Sequence, residues 1–164
     1  MIQEIFDRPV LIFGCGNVLL GDDGFGPAVI ERLHRDFRLP SQIAAVDVGT
    51  SVRDLLFDLL LVPTKPKRIF IIDAVSQPGR APGELFELDL HELPVYKTND
   101  FSLHQFPSVN LLEELKNSAG VDVRVLVAQA GDIPDEVRPG LSPEVEAAIP
   151  GACAWLWEQI EGDV

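Results

Sequence analysis

Residues 14–29 read GCGNVLLGDDGFGPAV. An apolar run, Pro9–Phe13 (PVLIF), precedes them and reads as a buried strand. From Phe25 onward the apolar residues Phe25, Val29, Ile30 and Leu33 recur at helical spacing, and Pro27 suits a first helical turn, where its missing N–H costs nothing. A strand, a glycine loop and a helix in that order are the opening unit of an α/β fold.

The same alternation continues outward. Ile43–Val48 (IAAVDV) reads as a second strand, and Thr50 or Ser51 can cap a helix over Val52–Leu61. Arg68–Ile72 (RIFII) reads as a third strand ending at Asp73. After a Pro/Gly turn, Glu84–Leu90 (ELFELDL) alternates as an exposed edge strand does. Residues 93–108 read as a polar, proline-punctuated loop. A helix follows over Val109–Leu115, beginning nearer Gln105, then a strand over Val121–Ala128. Ser142 and Pro143 cap a last helix reaching about Ile160. With 164 residues and neither repeat nor linker, residues 1–164 are expected to form one domain. Strands alternating with helices predict an open, mostly parallel sheet covered on both faces, with its site at the carboxyl ends of the strands. That expectation singles out the loops after Phe13, Val48, Ile72 and Ala128.

Composition narrows the partners. The formal charge of −13 opposes binding to a phosphate backbone, so no nucleic acid is expected. No apolar run approaches the ~18 residues of a membrane span. The opening MIQEIFDRPV has acidic residues and no long apolar core, so no secretory signal is read there. Cys15 and Cys153 are far apart and in no metal-ligand spacing, which fits a reducing cytoplasm. Cys15, between two glycines after a strand, has two readings: a nucleophilic thiol, or a small apolar side chain at a tight turn. Two neighbouring carboxylates favour the second.

The glycine loop fails both nucleotide motifs. In G-x-G-x-x-G the third position is Leu19. In G-x-x-x-x-G-K-[ST] the lysine and the hydroxyl are replaced by Asp22 and Asp23. Phosphate is attracted to helix N-termini by N–H groups and the helix dipole, and two carboxylates reverse that charge. The pair can either cap the helix or face a cation. Asp73 closes an apolar strand, and a buried aspartate needs a partner, a metal or a turn to satisfy it. His104, in Ser102-Leu103-His104-Gln105, precedes a helix; His34 and His91 are expected to be solvated. Carboxylates with an imidazole would form a mixed oxygen/nitrogen site suited to a transition metal.

Four segments carry a family likeness: GCGNVLLGDDGFG at 14–26, RIFIIDA at 68–74, SLHQF at 102–106 and AGDIPDEVRPGLSPEVEAAI at 130–149. Together they resemble the hydrogenase maturation endopeptidases, over nearly the whole chain. Within that family, GCGN and GDDGFGPAV look most like the delta-type proteins linked to coenzyme F420-reducing hydrogenases. The resemblance implies an α/β/α sandwich with a twisted five-stranded sheet. With the edge strand, the expected fold is a three-layer α/β/α sandwich whose mostly parallel sheet has one antiparallel edge strand. It also implies an endopeptidase that removes a C-terminal extension from the nickel-loaded large-subunit precursor of a nickel–iron hydrogenase. Matching the family's metal-contacting positions onto this sequence gives Asp23, Asp73 and His104. The first is Glu in some members and Asp here. On this reading nickel arrives with the precursor as recognition element, and Asp23 or Asp73 serves as general base. A non-catalytic assembly factor and a nucleotide-binding α/β protein are the alternatives.

Overall fold

A computed structural model describes residues 2–89 and 109–161. Its elements, numbered over those residues, are α1 (Ile2–Phe6), β1 (Val10–Cys15), a 3-10 turn (Gly21–Gly24), α2 (Phe25–Asp36), β2 (Ile43–Gly49), α3 (Val52–Leu61), β3 (Arg68–Val75), β4 (Leu85–Leu88), α4 (Val109–Asn117), β5 (Asp122–Gln129) and α5 (Pro143–Glu161). The sheet order is β2-β1-β3-β5-β4. β1 pairs in parallel with β2 and β3, β3 pairs in parallel with β5, and β4 runs antiparallel to β5. The mostly parallel five-stranded sheet with an antiparallel edge strand is therefore observed, with β4 at the edge the alternating run predicted.

β1, β3 and most of β5 are buried on both faces, which their unbroken apolar runs require. One layer packs Leu11, Phe13, Ile69, Ile71 and Val125 against Val52, Leu56 and Leu59 of α3 and Leu112 and Leu115 of α4. The other packs Val10, Ile12, Phe70, Ile72 and Leu126 against Val29, Ile30 and Leu33 of α2 and Ile149, Cys153 and Leu156 of α5. Cys15 and Cys153 are buried and in no disulfide. Burial pushes the Cys153 thiol up to about 11, leaving it a small apolar side chain at neutral pH.

The strands run further than their apolar runs suggest. β1 continues through Gly14 and Cys15, and β3 continues past Ile72 to Val75. Asp73 therefore lies inside a strand rather than closing it. The cause is unequal pairing. β1 stops pairing with β3 at Gly14↔Ile72, whereas β5 carries on through Asp73↔Val127, Ala74↔Ala128 and Val75↔Gln129. A short N-terminal helix, α1, had no counterpart in the sequence reading. Pro150 sits within α5; on the exposed side, the carbonyl that loses its N–H partner can turn to water.

What sets the position of α2 is a backbone-to-backbone contact. A Cβ on Gly26 would lie 2.3 Å from the Cys15 carbonyl oxygen and 2.4 Å from that of Ile72. A Cβ on Gly14 would lie 2.5 Å from the Gly26 oxygen. The first turn of α2 thus rests directly on the ends of β1 and β3, an approach open only to glycine. Gly26→Ala is expected to lower stability by at least the ~1–3 kcal/mol of an overpacked core, because the obstacles are backbone atoms. Urea unfolding should show the midpoint falling at unchanged slope.

Candidate functional site

The winding direction reverses between β1 and β3, since the chain moves from β1 outward to β2 and then returns to β3 on the other side. Crevices at the carboxyl ends of such a pair are the usual ligand sites of open α/β sheets. Here the crevice is roofed by the loop after β1 and by the 3-10 turn, which packs against β3.

The loop is built by short-range bonds. Gly16 has φ +133°, and a Cβ there would meet the Asp23 carbonyl oxygen at 1.8 Å. The Asn17 side chain accepts from Leu19 N–H at 2.9 Å, an Asx turn. Leu20 N–H donates to the Asn17 carbonyl and Asp23 N–H to the Leu20 carbonyl. Asn17 N–H donates to Asp23 Oδ2 at 2.8 Å. The loop thus closes on Asp23, whose side chain is fully buried.

Asp22 points the other way. Its Oδ2 accepts from the N–H groups of Gly131 and Asp132, each at 2.8 Å, and from Ser142 Oγ at 2.9 Å. Its Oδ1 accepts from Ser142 N–H at 2.7 Å. Asp22 N–H also donates to the Asp132 carbonyl, and a parallel bridge joins Leu20 to Arg138. One carboxylate therefore ties the 3-10 turn to the segment between β5 and α5. Neither aspartate caps α2: the N-cap is Gly24, with no side-chain cap bond. Ser142 accepts the Glu146 N–H through its carbonyl, but its hydroxyl serves Asp22 rather than the helix. Ser51 is the N-cap of α3, and its side chain makes no cap bond.

Asp73 is 3% exposed, and its Oδ1 accepts from Ala74 N–H at 2.8 Å. Strand alternation puts it on the same face as Ile71 and Val75, the layer shared with α4. The turn bearing Asp23 and the strand bearing Asp73 are thus packed together at the switch point. His104 and His91 lie outside the described residues, and among the described residues no group of three metal-ligating side chains occurs. His34 is not simply solvated, as its Nε2 lies 2.7 Å from the Ala45 carbonyl oxygen. Gln129 was missed by the sequence reading. It is buried at the end of β5, where its Oε1 accepts from Gln77 N–H at 2.9 Å. Its place after VRVLVA, matching that of Asp73 after RIFII, was the available signal.

Fold and crevice define a doubly wound α/β protein with buried carboxylates at its switch point. A family model described as hydrogenase maturation protease (HycI) matches residues 27–159, starting just after the two aspartates. A protein of Methanocaldococcus jannaschii, provisionally named a hydrogenase maturation protease, is 37% identical over 94% of this chain and 97% of its own length. The coenzyme F420 hydrogenase subunit delta of Methanothermobacter thermautotrophicus is 34% identical over 94% and 96%. The solved hydrogenase maturating endopeptidase HybD of Escherichia coli superposes with a TM-score of 0.71 at 30% identity, covering 95% of this chain and 93% of its own. The chain belongs to the hydrogenase maturation protease family, and it is accordingly an endopeptidase.

The bonds of Asp22 yield a stability test. Asp22→Asn turns one acceptor oxygen into a donor facing donors, so it is expected to cost about 1.5–3 kcal/mol, the range of hydrogen bonds to a charged group. Ser142→Ala removes one of the four bonds and should cost about 1 kcal/mol. Thermal unfolding of the two variants beside the parent checks the order.

Proposed function

We infer that this protein removes a C-terminal extension from the nickel-loaded large-subunit precursor of a nickel–iron hydrogenase, in the cytoplasm. The observation that carries the reading is the pair of buried aspartates, Asp23 and Asp73, at the switch point of a fold shared with HybD. Buried carboxylates are normally paired or coordinate a cation. Carboxylate oxygens with one imidazole suit a borderline divalent metal such as nickel. His104 supplies that imidazole. It lies five residues before Val109, where α4 enters the layer that Asp73 faces, and five residues of extended chain reach about 16 Å. The metal is substrate cargo: Asp23, Asp73 and His104 contact nickel held by the precursor, and so admit only the loaded form. Nickel bound there would polarise a carbonyl or water oxygen. Asp23 or Asp73 takes the proton from the attacking water, an aspartyl-type hydrolysis.

One observation favours a second reading. A relative that this chain matches over almost its full length is named a hydrogenase subunit, which fits an assembly factor that docks without cutting. Incubation with nickel-loaded precursor separates the two, since only the protease lowers the precursor mass by the length of the tail. Metal-free precursor should stay intact.

The site residues are tested in the same assay. Asp23→Asn keeps the volume and removes the charge, and Asp73→Asn does likewise on β3. His104→Ala removes the imidazole. Each is expected to slow cleavage by at least the ~100-fold at the low end of general acid–base effects, while unfolding cooperatively. Wild-type cleavage rates in all three would remove this site from the mechanism.

A further inference from the structure

The sheet ends, on one side, at β2, and among the described residues no strand covers its outer edge. Val10 N–H donates to the Gln42 carbonyl, and Val10 is in register with Ile43. That sets the phase of the ladder. Even-numbered backbone groups of β2 turn toward β1, and those of Ile43, Ala45 and Asp47 turn outward. Exposed edges are commonly blocked by Pro, Lys, bulges or short length. The seven-residue IAAVDVG has neither Pro nor Lys, and its register against β1 shifts only after Asp47, where Cys15 pairs with Gly49. Its guard is His34, whose ring occupies the Ala45 carbonyl.

Beyond His34, the outward half of β2 lines a groove of about 590 Å³ that runs between α2 and the segment at Gly140 up to the 3-10 turn. Among its walls, Gly24, Ala28, Ala45 and Gly140 leave room for a main chain, and Ile30, Val46 and Leu141 offer apolar contact. Among the described residues, its charged side chains are Glu31 and Asp47, and neither Lys nor Arg lines it. His34 lines it at the Ala45 carbonyl and also lines the neighbouring cavity along Ile43–Val46. The groove reaches Gly21 and Gly24, the residues that flank Asp22 and Asp23. Val18, half exposed on the glycine loop, also lines it.

We propose that this groove binds the C-terminal extension of the precursor as an added β-strand along Ala45–Asp47, and that the extension carries basic residues matched to Glu31 and Asp47. The mode is strand addition, in which main-chain bonds give affinity and flanking side chains give selection. Ala45 N–H and the outward groups of Asp47 take the peptide, while His34 keeps the Ala45 carbonyl and limits how far the strand extends. The tail then leaves the edge at Gly24, next to the turn that holds Asp23. The proposal rests on the protease reading, because it supplies the path by which a tail reaches that turn.

The test uses the full-length protein with nickel-loaded precursor, and with the same precursor truncated before its extension. Hydrogen exchange at the Ala45 and Asp47 amides is expected to slow at least tenfold with the full precursor and not with the truncated one. Glu31→Lys and Asp47→Asn, the latter keeping the oxygen that accepts from Gly49 N–H, are expected to raise KM about tenfold with kcat within twofold. Unchanged exchange at both amides, equal protection by the truncated precursor, or a wild-type KM in the double variant would overturn the docking site. A parent protein that binds the precursor with these amides protected but never cleaves it would overturn the protease reading and leave the docking site standing.

Discussion

Everything at this site follows from how closely the first turn of α2 approaches the sheet. Gly14 and Gly26 face each other with no room for a Cβ on either, and Gly26 also abuts the carbonyls of Cys15 and Ile72. Side chains in ordinary helix–sheet packing would hold the helix several ångströms further out. Removing them lowers the helix start onto the strand ends, and the preceding 3-10 turn is carried down with it. Gly16, at φ +133° and against the Asp23 carbonyl, completes the fit. The glycines that look like a phosphate cradle are thus spent on bringing one piece of protein backbone close to another.

Two adjacent aspartates then do different work because their neighbours differ. The Asp22 carboxylate accepts four hydrogen bonds from Gly131, Asp132 and Ser142. It holds the turn to a segment more than a hundred residues away in sequence. Charge-assisted bonds are the strong kind, and burying so many donors around one anion fixes the turn from the side opposite the crevice. Asp23 follows in the chain, faces the loop after β1, and accepts from Asn17 N–H. A support of hydrogen bonds behind and a backbone contact beneath hold the turn from two sides.

Much of this was legible in the sequence, for identifiable reasons. PVLIF, RIFII and VRVLVA are unbroken apolar runs, and a strand buried on both faces requires that pattern. The edge strand announced itself by alternation. Asp22 and Asp23 stood out as a pair that reverses the charge a phosphate loop needs, and Asp73 as a carboxylate at the end of an apolar run; it was the family resemblance that separated Asp23 from Asp22. The strand ends were misread because pairing, not hydrophobicity, decides them: β5 holds β3 in line through Asp73 after β1 has left. The link from Asp22 to Gly131, Asp132 and Ser142 spans 109 to 120 residues, and no local pattern encodes it. Ser142 looked like a helix cap because its position is a cap position, yet its hydroxyl is taken by a partner that only tertiary structure brings near. His34 likewise lies on a polar helix face by periodicity, and the sheet edge that engages it is absent from the helix sequence.

The charge of the whole chain and the charge of the site point in one direction. With 26 acidic and 13 basic residues, the surface field repels anions before they reach the crevice. At the crevice itself, Asp23 and Asp73 are almost entirely removed from water, a condition that costs several kcal/mol per ion unless an opposite charge or hydrogen bonds offset it. An arriving cation offsets part of that cost, whereas an anionic ligand would add to it. Two buried carboxylates at one end of the sheet thus oppose the approach of an anion. Where lysine would follow the glycines of a phosphate loop, this chain carries Asp22, whose charge is met by the donors of Gly131, Asp132 and Ser142, and Asp23, whose carboxylate turns to the loop after β1.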